Sequence, residues 1–300
     1  MTRPRPTRLL AALACAATLT GCISTLFFHP DQQLYTTPGR FGLTAQDLWF
    51  DAEDGSPLNG WWFPAQVPPG GTAKGTVIHA HGNAANISNH LPQVAWLPAA
   101  GYNLLTFDYR GFGLSKGSPT LDGVVADTRA AIAAARRQPG VDALRLVVLG
   151  QSLGGATAIR AVAQDPAGVK LLIVDSTFDS YRGIAHDAVR GSTLLGAVAR
   201  LAGASLPDAA SDPRTAMATL QVPILILHGE QDRTVPVAHA QRLYDAAHEP
   251  RTLIHVSNGQ HIEALTRPEL RARILQAMEQ ALDPPANAGV APHPSTPGTP

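Results

Sequence analysis

Residues 144–156 read L-R-L-V-V-L-G-Q-S-L-G-G-A, and this stretch decides the fold. Its first half is an apolar run of strand length, and its second half has the small residues that suit the start of a helix. A strand that enters a helix through G-x-S-x-G must turn sharply, which predicts a strained backbone at Ser152 and an exposed hydroxyl. Gly150 and Gly154 must be small because side chains there would collide across the turn. The pattern predicts a nucleophile at Ser152 rather than the capping serine of an ordinary glycine-rich turn.

Short apolar runs alternate with helical stretches on both sides of this turn. Uninterrupted apolar runs suit strands that are covered on both faces, and their alternation with helices predicts an α/β fold with a mostly parallel sheet. A pair of strands joined by a short turn precedes them. The predicted strands are residues 43–51, 58–64, 76–80, 103–107, 144–149, 171–174, 224–227 and 252–256. The predicted helices are residues 121–138, 152–164 and 266–282. The last helix opens on T-R-P-E, which predicts a capping box between Thr266 and Glu269.

A serine hydroxyl is a poor nucleophile unless a base takes its proton. His261 lies in N-G-Q-H after the last predicted strand, on a loop that Asn258 and Gly259 allow to turn inward. We therefore predict His261 as the base. The other histidines considered are weaker candidates. His255 lies within a predicted strand, His239 and His248 lie on a further predicted helix, and His293 lies in the C-terminal tail.

The base needs an acid that fixes its tautomer and stabilises its cation. Asp232 follows the strand at residues 224–227 in the string H-G-E-Q-D-R-T-V-P, and we predict it as that acid. Asp175 is the alternative because it ends the strand at residues 171–174. If it is not the acid, Asp175 is expected to be a strand-end aspartate bonded to local backbone.

A negatively charged tetrahedral intermediate needs two hydrogen-bond donors that are in place beforehand. The backbone N–H of Leu153 is the first predicted donor, and that of Asn83, in the loop H-A-H-G-N, is the second. Gly82 allows the backbone to come close, and His81 is expected to brace this loop. The H-x-H pair has no suitably spaced third ligand, so the sequence predicts neither a metal nor a cofactor.

The amino-acid composition argues against nucleic-acid binding and against cysteine-based structural sites. Of the 300 residues 45% are hydrophobic, which is enough for a sizeable core, and 23 basic residues balance 23 acidic ones. Without a basic excess, nucleic acid is not a predicted partner. The two cysteines, Cys15 and Cys22, both lie near the N-terminus, so neither a disulfide framework nor a thiolate zinc site is predicted.

The N-terminus has the features of an export signal. Three arginines precede a short apolar run that is too short to span a bilayer, and the run ends in L-T-G-C. This string resembles the bacterial lipobox, which implies cleavage after residue 21 and acylation of Cys22. An ordinary cleaved signal and an uncleaved anchor are the alternatives. Lipidation predicts a protein anchored to a membrane of the bacterial envelope, and Ile23 in place of an aspartate favours the outer membrane.

The predicted domain organisation has three parts: a signal peptide at residues 1–21, one α/β domain at residues 22–282, and a tail at residues 283–300. The tail is rich in proline and small residues, which predicts disorder. Within the domain, a short helical lid is expected at about residues 178–215, between the fourth and fifth parallel strands.

Five strings in order carry a family resemblance: H-G-N-A-A-N (81–86), D-Y-R-G-F-G-L-S (108–115), G-Q-S-L-G-G (150–155), H-G-E-Q-D-R-T-V-P (228–236) and G-Q-H (259–261). They closely resemble the small-lid α/β-hydrolases, in the branch that is serine-aminopeptidase-like and includes protein depalmitoylases. The resemblance covers about residues 28–282 and implies the Ser-Asp-His order found here. In the second string, Asp108 and Arg110 are expected to pair beside the pocket.

The predicted reaction is acyl transfer to water, with carboxylic esters of short to medium acyl chains as the first expected substrates. Thioesters and peptides fit the same mechanism. A non-catalytic lipoprotein that uses the scaffold for binding is the alternative of a different class. Haloalkane and epoxide hydrolases are disfavoured because they carry an aspartate at the position of Ser152.

Overall fold

The central feature of the computed structural model, which describes residues 28–188 and 208–284, is an eight-stranded sheet. Ten strands are described in all: β1 His29–Pro30, β2 Gln46–Asp51, β3 Pro57–Phe63, β4 Thr76–Ala80, β5 Ala84–Ala85, β6 Asn103–Phe107, β7 Leu146–Gln151, β8 Val169–Asp175, β9 Ile224–Gly229 and β10 Arg251–Val256. Strands β1 and β5 form a separate two-stranded parallel sheet.

The large sheet has the order β10-β9-β8-β7-β4-β6-β3-β2. Strands β2 and β3 pair antiparallel, as do β3 and β6, and every other pair is parallel. Every residue of β4, β6 and β7 is buried. This burial explains why the central strands are mostly apolar in the sequence, since both of their faces are covered.

Helices cover both faces of the sheet. The described α-helices are α1 Ile87–Val94, α2 Leu121–Arg136, α3 Leu153–Gln164, α4 Tyr181–Ala188, α5 Pro213–Met217, α6 Ala238–Ala246 and α7 Pro268–Leu282. Helices α2, α3 and α6 contribute to one apolar core, and α1 and α7 contribute to a second core on the other side. The predicted α/β-hydrolase architecture, a mostly parallel sheet with helices on both faces, is confirmed.

The predicted capping box at the start of α7 is wrong. Thr266 ends a short 3-10 turn, and its hydroxyl donates to the Glu263 carbonyl oxygen over 2.8 Å. Arg267 occupies the N-cap position without a capping side-chain bond, and Pro268 follows it. Proline lacks the backbone N–H, so this helix begins with one fewer donor to satisfy.

Several sequence expectations lie outside the described residues. The signal peptide at residues 1–21, the acylation site Cys22, residues 189–207 of the predicted lid and residues 285–300 of the tail belong to this group. Of the lid region, α4 and α5 and a 3-10 turn at Ala209–Ser211 are described. No helix in residues 28–188 and 208–284 combines the length and apolar character needed to cross a bilayer.

Candidate active site

Ser152 lies at the turn between the end of β7 and the start of α3. Its φ of 52° and ψ of −117° are rare for a residue other than glycine, which confirms the predicted strain. The Ser152 N–H donates to the Asp175 carbonyl oxygen over 2.9 Å, and the Thr177 hydroxyl donates to the Ser152 carbonyl oxygen over 2.7 Å. Both backbone polar groups of the strained serine are therefore held by the end of β8 and the residues after it.

The two glycines of this turn have no room for a side chain. A Cβ on Gly150 would lie 2.4 Å from the Gly154 carbonyl oxygen, so the predicted collision across the turn is confirmed. A Cβ on Gly154 would lie 1.9 Å from the Ala80 carbonyl oxygen, at the end of β4. Gly154 therefore lets α3 begin directly against the edge of the sheet.

His261 and Asp232 are in hydrogen-bond contact. The imidazole Nδ1 of His261 lies 2.7 Å from Asp232 Oδ2, and Asp232 Oδ1 accepts the backbone N–H groups of Thr234 and Val235, each over 2.8 Å. Burial acts to raise the pKa of Asp232, but the bond to His261 and the two backbone donors outweigh it and hold the pKa below its usual value. Asp232 is therefore an ionised carboxylate aimed at the imidazole.

The loop that carries His261 passes through two left-handed residues. Asn258 has a φ of 56° and Ile262 a φ of 53°. The Ile262 N–H donates to the Ser176 Oγ over 3.0 Å. Gly259 is required between them, since a Cβ there would lie 2.7 Å from a valine side chain of β10. The imidazole is thus placed by contacts on both sides of it in the chain.

Asp175, the alternative acid, does not bond to His261. Its carboxylate accepts the Gln151 side-chain amide and the Ser176 hydroxyl, each over 3.2 Å. The expectation that Asp175 bonds to local backbone if it is not the acid is wrong, because both hydrogen bonds of its carboxylate are to side chains. Burial raises the pKa of Asp175 to about 6, against the lowering effect of its two hydrogen bonds.

The hydrogen bond that would join Ser152 Oγ to His261 Nε2 is not among the contacts of either residue in the described structure. Both residues are nevertheless fixed to neighbouring atoms, since Ser152 N–H bonds to Asp175 and the residue after His261 bonds to Ser176. Catalytic hydrogen bonds are often long in ligand-free enzymes and tighten when substrate binds. The structure therefore brings Asp232 and His261 together and places Ser152 at the same edge of the sheet.

Leu153 and the residue before Asn83 lie beside Ser152. Leu153 is the first residue of α3, and the first N–H groups of a helix have no partner within the helix. A Cβ on Gly82 would lie 3.7 Å from the Ser152 Cβ, so the backbone just before Asn83 approaches the serine. His81 contributes to this loop as expected, since its Nδ1 lies 2.7 Å from the Gly82 carbonyl oxygen.

Residues 28–35 lie against the loop that carries Asn83. Strand β1 pairs with β5, and the His29 N–H donates to Asn83 Oδ1 over 3.3 Å. The side-chain amide of Asn86 donates to Asp31 Oδ1 over 2.9 Å. The N-terminal end of the described chain therefore supports one side of the candidate site.

The expected pairing of Asp108 with Arg110 is wrong. Arg110 bonds instead to Asp127 on α2 over 2.7 Å and to Asp54 over 2.6 Å. Asp108 accepts the Ile87 N–H over 2.8 Å at the start of α1. Both residues follow β6, and each bonds to a different helix: Asp108 to the start of α1 and Arg110 to α2.

Sequence reasoning did not predict the contacts among a set of buried polar residues beneath the site. His79 bonds to Thr106 over 3.0 Å and to Gln151 over 3.1 Å, and burial lowers the pKa of His79 to about 3, so the ring is neutral. Ser176 and Thr177 were also missed. Small polar residues directly after a parallel strand are a usable signal, because ligands bind in α/β sheets outside the carboxyl ends of the strands.

The described residues hold no group of three or more histidine, cysteine, aspartate or glutamate side chains arranged to bind a metal ion. Both ring nitrogens of His79 are already used in hydrogen bonds to protein groups. The H-x-H pair therefore supports the loop and the sheet by direct contacts.

The chain is similar to known proteins over most of its length. A family model described as "Serine aminopeptidase, S33" matches residues 71–208. YfhR of Escherichia coli K12, whose function is uncharacterized, is 39% identical over 241 residues, or 80% of each chain. The alpha/beta hydrolase domain-containing protein WAV2 of Arabidopsis thaliana is 30% identical over 76% of this chain and 75% of its own.

Solved structures share the fold. The esterase Pf2001 of Pyrococcus furiosus superimposes with a TM-score of 0.68 and 20% identity, covering 85% of this chain and 99% of that one. The alpha/beta hydrolase GrgF of Penicillium sp. sh18 superimposes with a TM-score of 0.64 and 19% identity, covering 80% and 99%. At these identities the similarity concerns the architecture.

Proposed function

We propose that this chain, which belongs to the α/β-hydrolase family and is a hydrolase, cleaves carboxylic esters by nucleophilic catalysis from Ser152. The observation that carries the proposal is the 2.7 Å contact between His261 Nδ1 and the ionised Asp232, at the same sheet edge as a strained Ser152. This contact leaves His261 Nε2 as the nitrogen that can take a proton from Ser152.

In the first half of the reaction, Ser152 Oγ attacks the carbonyl carbon while His261 Nε2 accepts the hydroxyl proton. The tetrahedral intermediate then collapses, and the bond to the leaving alcohol breaks as that alcohol takes the proton from His261. In the second half, His261 removes a proton from water as the water attacks the acyl-enzyme. The bond between the acyl carbon and Ser152 Oγ then breaks as Ser152 takes that proton from His261, and the acid is released. Asp232 stabilises the imidazolium cation in both halves.

The backbone N–H groups of Leu153 and Asn83 are the proposed donors to the oxyanion. Their supporting observations are the position of Leu153 at the start of α3 and the close approach of Gly82 to Ser152. Donors of this kind stabilise charge that develops only in the transition state, so they raise the rate of the chemical step.

A fluorophosphonate probe tests the nucleophile. We expect covalent labelling of the full chain that is lost in Ser152→Ala and retained in Ser257→Ala, an exposed serine after β10. Hydrolysis of p-nitrophenyl esters of increasing chain length then defines the acyl group, with thioester and peptide substrates assayed in parallel. A folded wild-type protein that neither labels nor hydrolyses any of these substrates would favour the non-catalytic scaffold.

The base is tested with a matched pair of histidines. We expect His261→Gln to abolish ester hydrolysis, whereas His255→Gln, an exposed residue of β10 six positions earlier, retains it. Equal losses in both variants would contradict the proposed role of His261.

A lipid anchor at Cys22 is proposed from L-T-G-C at residues 19–22, which places the protein on a membrane of the bacterial envelope. The chain offers its own control, because Cys15 is the other cysteine. We expect Cys22→Ser to release the exported protein from membranes and Cys15→Ser to leave it attached. A wild-type protein that is already released after export would contradict the anchor.

A further inference from the structure

Three consecutive residues at the end of β8 contact both halves of the proposed machinery. The Asp175 carbonyl oxygen accepts the Ser152 N–H over 2.9 Å, and Thr177 Oγ1 donates to the Ser152 carbonyl oxygen over 2.7 Å. Between them, Ser176 Oγ accepts the Ile262 N–H over 3.0 Å, next to His261 in the chain. We call residues 175–177 the 175–177 segment.

The two residues of the proposed machinery whose backbones this segment binds are strained. Ser152 and Ile262 have φ values of 52° and 53°, and Ser176 itself has a φ of 55°. Left-handed conformations of non-glycine residues persist only where the surroundings over-determine them. The hydrogen bonds to the 175–177 segment are the surroundings that hold these backbones in place.

The 175–177 segment is itself fixed to the sheet. The Asp175 carboxylate accepts the Gln151 amide and the Ser176 hydroxyl, Gln151 bonds to His79 over 3.1 Å, and His79 bonds to Thr106 over 3.0 Å. All five side chains are buried. This chain of hydrogen bonds crosses the neighbouring strands β8, β7, β4 and β6, so the segment cannot move without breaking a buried polar contact.

We propose that Ser176 and Thr177 are positioning residues that set the distance between the nucleophile and the base. Thr177 fixes the backbone of Ser152, and Ser176 fixes the backbone directly after His261. The inference rests on the proposed roles of Ser152 and His261. Both reacting groups are held by hydrogen bonds to the same rigid segment, so loss of either hydroxyl shifts one group relative to the other. A misplacement of about 1 Å lowers the rate about 100-fold.

Thr177→Val tests the proposal, because valine keeps the shape of threonine without its hydroxyl. We expect kcat for p-nitrophenyl acetate to fall about tenfold or more while KM changes less than about threefold. Thr177→Ser restores the hydroxyl and is expected to restore kcat. The matched control is Thr76→Val, a buried threonine at the opposite end of β4 whose Oγ1 accepts the Asn103 amide over 3.2 Å.

A merely structural role predicts a different pattern. In that case Thr177→Val and Thr76→Val both lower Tm by a few degrees and both leave kcat near the wild-type value, which would overturn the proposal. Should Thr177→Val not accumulate as folded protein, Ser176→Ala carries the same test against the same control. Failure of the proposed function is distinguishable, since the wild-type protein would then show no fluorophosphonate labelling at all.

Discussion

At the scale of single residues, two buried carboxylates close to the imidazole differ because their partners differ. Asp232 receives two backbone N–H groups and the bond to His261, whereas Asp175 receives only neutral side-chain donors. We expect Asp232→Asn to lower kcat by about 10³-fold or more, because asparagine cannot stabilise the imidazolium. Asp175→Asn is expected to cost less than about tenfold. Steady-state ester hydrolysis measures both, and a larger loss at Asp175 would reassign the acid.

The same two carboxylates give opposite dependences of stability on pH. Burial raises the pKa of Asp175 from 3.8 to about 6, so its contribution is fully present below about pH 4 and is lost as the pH rises through about 6. The pKa of Asp232 is lowered, so its contribution is present above about pH 4 and is lost as the pH falls. We expect the Tm of Asp175→Asn to rise by a few degrees relative to wild type as the pH increases from about 4 to about 7. The Tm of Asp232→Asn is expected to lie below that of wild type throughout this range, and the difference is expected to shrink as the pH falls below about 4. Thermal unfolding at a series of pH values provides the measurement, and parallel curves for the three proteins would contradict it.

The sequence predicts a site residue when that residue lies in a recognisable short string. It does not predict a contact whose two partners are far apart in the chain. Ser152, Asp232 and His261 stand in short strings whose order indicates their proximity, and the 2.7 Å bond joins the last two. The partner of Arg110 could not be predicted, because Asp127 is 17 positions away and reaches it only once α2 packs on the sheet. Ser176 is missed for the same reason, since its partner lies 86 positions further on.

At the scale of elements, the turn from β7 into α3 depends on one glycine more than on any propensity. A Cβ on Gly154 would lie 1.9 Å from the Ala80 carbonyl oxygen, a backbone atom that cannot move without displacing β4. We expect Gly154→Ala to lower the free energy of unfolding by about 3 kcal/mol or more. Gly39→Ala is the control, because nothing lies within 4 Å of a Cβ there and its φ is not left-handed. Denaturant unfolding measures the free energy of unfolding of both variants. Equal values for the two would contradict the prediction and show that the backbone at the end of β4 can shift to make room for a side chain.

Helix starts provide a second prediction at this scale. The Thr120 hydroxyl accepts the Gly123 N–H over 3.0 Å at the start of α2, whereas Thr266 caps no helix. We therefore expect Thr120→Ala to cost about 1 kcal/mol of stability and Thr266→Ala only a few tenths. Urea denaturation measures both losses of stability. A larger loss in Thr266→Ala would support the rejected capping box at the start of α7.

The bounds of buried apolar strands can be predicted from this sequence, whereas a helix that contains a proline is missed. Strands β4 and β6 have the predicted bounds because each is a short, mostly apolar run that is buried along its whole length. Helix α1 is absent from the predicted elements because Pro92 lies inside it, although Asn86 caps it by accepting the Ser88 N–H. Tertiary packing therefore stabilises α1 as a helix, since its apolar side chains are part of the second core.

At the scale of the whole molecule, the N-terminal segment joins the candidate site to the proposed anchor. Phe28 is buried, and only five residues lie between it and Cys22. We expect a flexible insert of about 20 residues after Ser24 to reduce hydrolysis of an ester embedded in phospholipid vesicles by roughly 5- to 10-fold, because a longer linker lowers the effective concentration of the site at the membrane. Hydrolysis of a soluble ester by the same lipidated protein is the control. An unchanged vesicle rate would contradict the prediction.

Pairing of β1 with β5 thus has a consequence for how substrate is found. Phe28 lies six positions after Cys22, a span of at most about 22 Å, so a lipid on Cys22 would hold Phe28, and the loop of Asn83 that His29 contacts, in a shallow layer above the headgroups. An enzyme confined in this way meets amphiphilic molecules by lateral diffusion within a plane. Its turnover would then follow the surface density of substrate in the leaflet rather than the bulk concentration.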